Sequence, residues 1–143
     1  YWEGKIKKAI SQRHQNLDIN GKNNIYRLVH AEGDEMPGCI IDRYDNVIVM
    51  QFHSVGMWKL KEIFSKTIAK QLPEIDVVYD KSENTLPEVL KQEFQIQNSY
   101  LLRKIDASDV IASEYGNQFK INWVTGQKTG FFIDQRENRK LLG

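Results

Sequence analysis

Cysteine is almost missing from this chain: among 143 residues only Cys39 carries a thiol. An internal disulfide is therefore excluded, and the usage fits a reducing cytoplasm. Histidine is scarce too, and His14, His30 and His53 show no close ligand spacing, so with one cysteine no metal site is expected. No two glycines sit two apart, which removes the dinucleotide fingerprint G-x-G-x-x-G. No glycine directly precedes Lys128, so GQKT is not a nucleotide phosphate loop. No apolar run reaches membrane-spanning length, and no membrane contact is expected. The charged stretch 1–13 is not a signal peptide. Internal repeats and low-complexity segments are absent.

A formal net charge of +1 does not by itself advertise a nucleic-acid binder. Its distribution says more. Residues 1–30 hold six Lys and Arg against two Asp and Glu, and residues 120–143 hold five against two. The middle is acidic, with nine against fifteen. Basic ends around an acidic centre could place RNA near the termini.

Taken in order, the pattern predicts an α+β fold, a mixed sheet with packed helices. Trp2, Ile6, Ala9, Ile10 and Arg13 recur at helical spacing, predicting an amphipathic helix over 2–15. A polar loop follows over 16–24. Strands are expected over 26–31, 39–44 and 47–53, with a turn over 33–38 and a short one at Asp45-Asn46. Met57, Leu60, Phe64, Ile68 and Leu72 predict one helix over 55–71, ending before Pro73. Val77, Val78 and Tyr79 read as a short buried strand of the parallel kind. Leu86, Val89, Leu90 and Phe94 suggest a shorter helix, and 98–108 is ambiguous. Strands over 110–115 and 118–124 flank Gly116-Asn117 as a hairpin connection. Phe119, Ile121 and Trp123 alternate with polar residues there, so one face is expected to be buried.

The densest stretch is GQKTGFFIDQRENR, residues 126–139. Gly126 and Gly130 bracket a polar turn. Asp134 stands where a helix N-cap would, and 135–142 reads as that helix beginning. A polar loop feeding a helix N-terminus suits a carboxylate or phosphate. An ordinary capped helix after a strand is the competing reading.

This stretch resembles the signature of bacterial S-adenosylmethionine-dependent methyltransferases that modify large-subunit ribosomal RNA, mostly at cytosine C5. Two further blocks carry the resemblance in the same order, YRLVHAEGD at 26–34 and MPGCIIDRY at 36–44. Members of that family combine an N-terminal RNA-binding PUA domain, a central α+β domain and a Rossmann-like methyltransferase domain. The resemblance therefore implies a linker helix and loop over 1–24, the central domain over 25–125, and a lead-in to the methyltransferase domain over 126–143. With Tyr1 at the start and Gly143 inside a helix, the chain is expected to be cut from a longer enzyme.

For that enzyme the resemblance implies methyl transfer from S-adenosylmethionine to ribosomal RNA in the cytoplasm. It implies a cofactor edge made by Gln127, Lys128, Thr129, Gly130, Phe131, Asp134 and Arg136. Arg136 would meet the methionine carboxylate of the cofactor, a pairing that guanidinium geometry suits. Gln127 and Lys128 could face cofactor or RNA phosphate. No catalytic residue is expected within these 143 positions. Cys39 sits in an apolar run and reads as a small core residue rather than a nucleophile. His30 with Asp34 and Asp42 is a weaker acid/base candidate, and Asp42-Arg43 reads as a local ion pair or strand-end contact. Phe131 and Phe132 point to opposite sides if extended, so the segment over 126–143 is expected to fold back onto its own domain or, in the sharper form, to dock on a second copy of the chain. A non-enzymatic RNA-binding or scaffold module is the alternative to an enzyme.

Overall fold

The computed structural model describes residues 1–17, 19–21, 23–126 and 129. Five strands form one mixed sheet in the order β1-β2-β3-β4-β5, and two more form a separate hairpin. Strands β1 (Ile25–His30), β2 (Cys39–Tyr44) and β3 (Val47–Phe52) run antiparallel in sequence. The turn between β2 and β3 is Asp45-Asn46, with Asp45 at φ 54°, a left-handed conformation that aspartate tolerates. β4 (Val77–Asp80) is buried throughout and pairs parallel to β3, as its consecutive apolar residues predict. A parallel neighbour needs a crossover, and α2 (Val55–Trp58) and α3 (Lys61–Gln71) supply it.

Each face of the sheet buries its own core. On one side α1 (Trp2–Asn16) and α3 cover Tyr26, Leu28, Ile41, Ile48, Met50 and Val78. A bulge between Arg27 and Val29 lets the consecutive Leu28 and Val29 both join this core. Trp2 meets Phe64 edge-on at 6.1 Å between centroids, and Phe52 stacks on Phe64 at 6.0 Å. On the other side the hairpin of β6 (Asp109–Glu114) and β7 (Asn117–Asn122) lies over Ile25, Tyr44, Val47, Val49, Val77 and Tyr79. Ala112, Ile121 and Trp123 are its contribution, and Trp123 is among the largest fully buried side chains.

Several local expectations change. The helix expected over 55–71 is two helices, because Leu60 N–H bonds to the carbonyl of Met57 at 3.0 Å, three residues back instead of four. Ala31 leaves the strand and opens a 3-10 turn, Ala31–Asp34. The ambiguous stretch contains an edge strand, β5 (Ser99–Arg103), antiparallel to β4. The hairpin connection is Tyr115-Gly116, since Glu114 pairs with Asn117. Both connecting residues have positive φ, 50° and 84°, which suits the tight turns that match strand twist. Val124 falls in the turn that follows β7. The remaining short helix, α4 (Glu88–Phe94), lies where the spacing predicts it.

Candidate functional site

β2 alternates, so Ile41 and Arg43 face the helices while Asp42 and Tyr44 face the hairpin. Asp42 is fully buried. A bare carboxylate there would be costly, and Arg27, its register partner on β1, meets it with both arms of its fork. Nε donates to Oδ1 at 2.8 Å and Nη2 to Oδ2 at 3.2 Å.

A third donor comes from the far end of the chain. Thr129 is buried, and its hydroxyl donates to Asp42 Oδ2 at 2.5 Å. The Tyr44 phenol also meets Thr129 Oγ1. A threonine has a single hydroxyl proton, and a carboxylate only accepts. The order of donation is therefore Tyr44 to Thr129 to Asp42. A second attachment lies three residues earlier. The carbonyl of Gly126 accepts from Lys81 Nζ, and its N–H donates to the carbonyl of Asn122 at 2.9 Å. Lys81 follows β4 directly, and burial lowers its pKa. The segment leaving the hairpin is thus tied to β2 and to the end of β4.

Of the seven residues expected at a cofactor edge, Thr129 is in view, and its side chain turns inward to Asp42. Gln127, Lys128, Gly130, Phe131, Asp134 and Arg136 lie outside the described residues, as do Phe132 and the helix expected over 135–142. The anchors Arg27, Tyr44 and Lys81 were not singled out from sequence. The spacing of Asp42 and Tyr44 was the available signal, because residues two apart on a strand share a face.

The remaining candidates separate. Asp42 and Arg43 do not pair with each other. Arg43 turns to the other face and contacts the Asp45 carbonyl at 2.7 Å, the Tyr26 phenol at 3.2 Å and Glu74 at 3.2 Å. His30, Asp34 and Asp42 form no joint group either. Asp34 accepts from Arg13 Nη2 and from the His30 backbone N–H, both at 2.6 Å. Cys39 is fully buried, and burial, then the nearby Asp34 charge, pushes its thiol well above the ordinary range. A protonated, inaccessible thiol is a poor nucleophile.

At the end of β4, Asp80 forms a further buried network. It accepts from Trp58 Nε1 at 3.0 Å and from Ser82 Oγ at 2.5 Å, and Ser82 Oγ in turn accepts from the Phe52 N–H at 2.9 Å. Among the described residues no group of three potential metal ligands occurs. No described helix is long and apolar enough to cross a membrane.

No family model matches the chain. Individual proteins do. Over 142 residues, 99% of the chain, it is 34% identical to ribosomal RNA large subunit methyltransferase I of Shewanella frigidimarina. Over 118 residues, 82% of the chain, it is 36% identical to the protein of that name from Shewanella amazonensis. The chain is homologous to part of a ribosomal RNA methyltransferase. It spans about a third of those relatives, 34% and 29% of their lengths. Solved structures show the same fold. A Streptococcus mutans protein classed as a SAM-dependent methyltransferase matches with a TM-score of 0.78 at 20% identity, over 99% of this chain and 35% of that one. A methyltransferase-class protein complexed with SAH matches with a TM-score of 0.79 at 20% identity, over 99% and 34%.

Proposed function

We propose that this chain is the central segment of an S-adenosylmethionine-dependent ribosomal RNA methyltransferase acting at cytosine C5. The observation that supports the reading most is 34% identity running through 99% of the chain against a ribosomal RNA large subunit methyltransferase I. In this reading the segment over 25–125 is a scaffold. Its sheet and hairpin hold the start of 126–143 in place, and that stretch forms one edge of the cofactor site.

Thr129 serves as the peg. Its hydroxyl is engaged by Asp42 and Tyr44, so it fixes the backbone at this point. Gln127, Lys128, Gly130, Phe131 and Asp134 line the cofactor edge, and Arg136 pairs with the cofactor carboxylate. S-adenosylmethionine, when bound, supplies an electrophilic methyl group. The chain's own part is binding and orientation. Cys39 takes no part in attack on the base.

Calorimetric titration of S-adenosylmethionine into the whole protein tests this. Arg136→Ala removes one charge-assisted contact, commonly about 1.5–3 kcal/mol, or roughly 10- to 100-fold in affinity. Unchanged affinity with a much lower melting point would mean that Arg136 only fixes a helix start.

A further inference from the structure

α1 and α3 lie side by side on the sheet, and a shallow groove of about 110 Å³ opens between them. Glu3 and Lys7 line it from α1, and Lys66, Thr67, Lys70 and Gln71 line it from α3. Sequence alone separates these lysines, with Lys7 in the basic start and Lys66 and Lys70 in the acidic middle. The fold brings them together.

Lys7, Lys66 and Lys70 are exposed. Among the described residues none of them makes an ion pair, although Lys5, Lys91 and Lys120 each find a carboxylate. Lys66 and Lys70 stand one turn apart on the same face, where like charges repel. Glu3 is the one acid lining the groove. The Thr67 hydroxyl is already spent on the Ile63 carbonyl at 2.8 Å. Three unpaired ammonium groups with an exposed glutamine amide make a site for an anion with several charges. No aromatic ring lines the groove, so it offers phosphate contacts rather than base stacking.

We infer that this groove binds the phosphate backbone of RNA. The nature of the anion rests on the methyltransferase reading above; the groove rests on the structure. Lysines act here as point charges that release counterions, so the contact adds affinity and register without reading sequence.

The test is binding of a fluorescein-labelled, mixed-sequence RNA to the chain at several salt concentrations. The variant Lys7→Gln/Lys66→Gln/Lys70→Gln is compared with Lys91→Gln/Lys104→Gln/Lys120→Gln, which removes equal charge elsewhere. The first should bind more weakly and lower the salt slope by about two to three, at roughly 0.7–0.9 per lost phosphate contact. The second should change the slope little, and Lys→Arg at the three groove positions should restore binding. Thermal melting checks that each variant is folded. Equal losses in both triple variants, or none in the groove variant, overturn the inference, as does absence of RNA binding by the unmodified chain. In the whole protein the groove variant should raise KM for ribosomal RNA and leave kcat unchanged. A whole protein that transfers no methyl group to RNA defeats the functional reading alone, because groove binding is measured separately.

Discussion

The hydroxyl of Thr129 sits 2.5 Å from the buried carboxylate of Asp42, 87 positions earlier in the chain. That one contact ties the stretch with the densest functional signature to the middle of the sheet. It also completes a line in which Tyr44 donates to Thr129, Thr129 to Asp42, and Arg27 neutralises the charge.

Thr129→Val keeps the shape and deletes the hydroxyl. Asp42 loses a donor, and the Tyr44 phenol loses one of its contacts. The expected cost is about 1–3 kcal/mol. Urea denaturation measures it, with Thr129→Ser near the parent. A Val variant as stable as the parent would mean that the contact does not hold the segment.

Trp123 anchors the hairpin over the second core, yet among the described residues its indole N–H has no partner. Trp123→Ala should therefore cost about 3–5 kcal/mol. Trp123→Phe should recover most of that, because no hydrogen bond is lost. Melting curves of the two variants decide, and equal losses would point to a hidden polar role for the ring nitrogen.

Asp80 should make stability depend on pH in the direction opposite to a salt-bridged aspartate. Burial raises its pKa, outweighing the opposing hydrogen bonds from Ser82 and Trp58. The unfolded chain then releases this proton first. Asp80's contribution is full below the unfolded-state value, declines as pH rises through the folded-state value, and is level above it. Relative to Asp80→Asn, the parent should lose stability as pH rises from the ordinary aspartate range through the raised folded-state value. Denaturation of both proteins across that range is the check, and a parent that gains on the variant would reverse the sign.

Self-association is expected if Phe131 or Phe132 presents a ring to solvent, since full exposure of such a side chain forgoes roughly 1.5–3 kcal/mol of burial. Sedimentation of the chain, of Phe131→Ser and of Phe132→Ser should show a dimer that one substitution dissolves. A chain that stays monomeric at high concentration removes this proposal.

The strands were legible where one physical rule dominated. β2 and β3 follow from their apolar runs and the Asp45-Asn46 turn, and β4 from three consecutive apolar residues buried on both faces. The break at Leu60 was hidden because Met57, Leu60 and Phe64 keep helical spacing through it. β5 lacked alternation because it carries an extra residue, Leu101, between Leu102, which pairs with Val78, and Tyr100, which pairs with Tyr79. The Arg27, Asp42, Tyr44 and Thr129 cluster was beyond local reading, since hydrogen bonds across 85 and 87 positions leave no periodic trace. The ion pair between Asp42 and Arg43 is missing because adjacent strand residues face opposite ways, while the strand-end alternative holds for Arg43, which meets the Asp45 carbonyl.

The most direct measurement is mass analysis of nucleosides from large-subunit ribosomal RNA, in cells with and without the gene that encodes this sequence. The account predicts that one 5-methylcytidine is lost on deletion, returns with the unmodified gene, and returns only partly with Arg136→Ala. Ribosomal RNA methylated identically with and without the gene would contradict it.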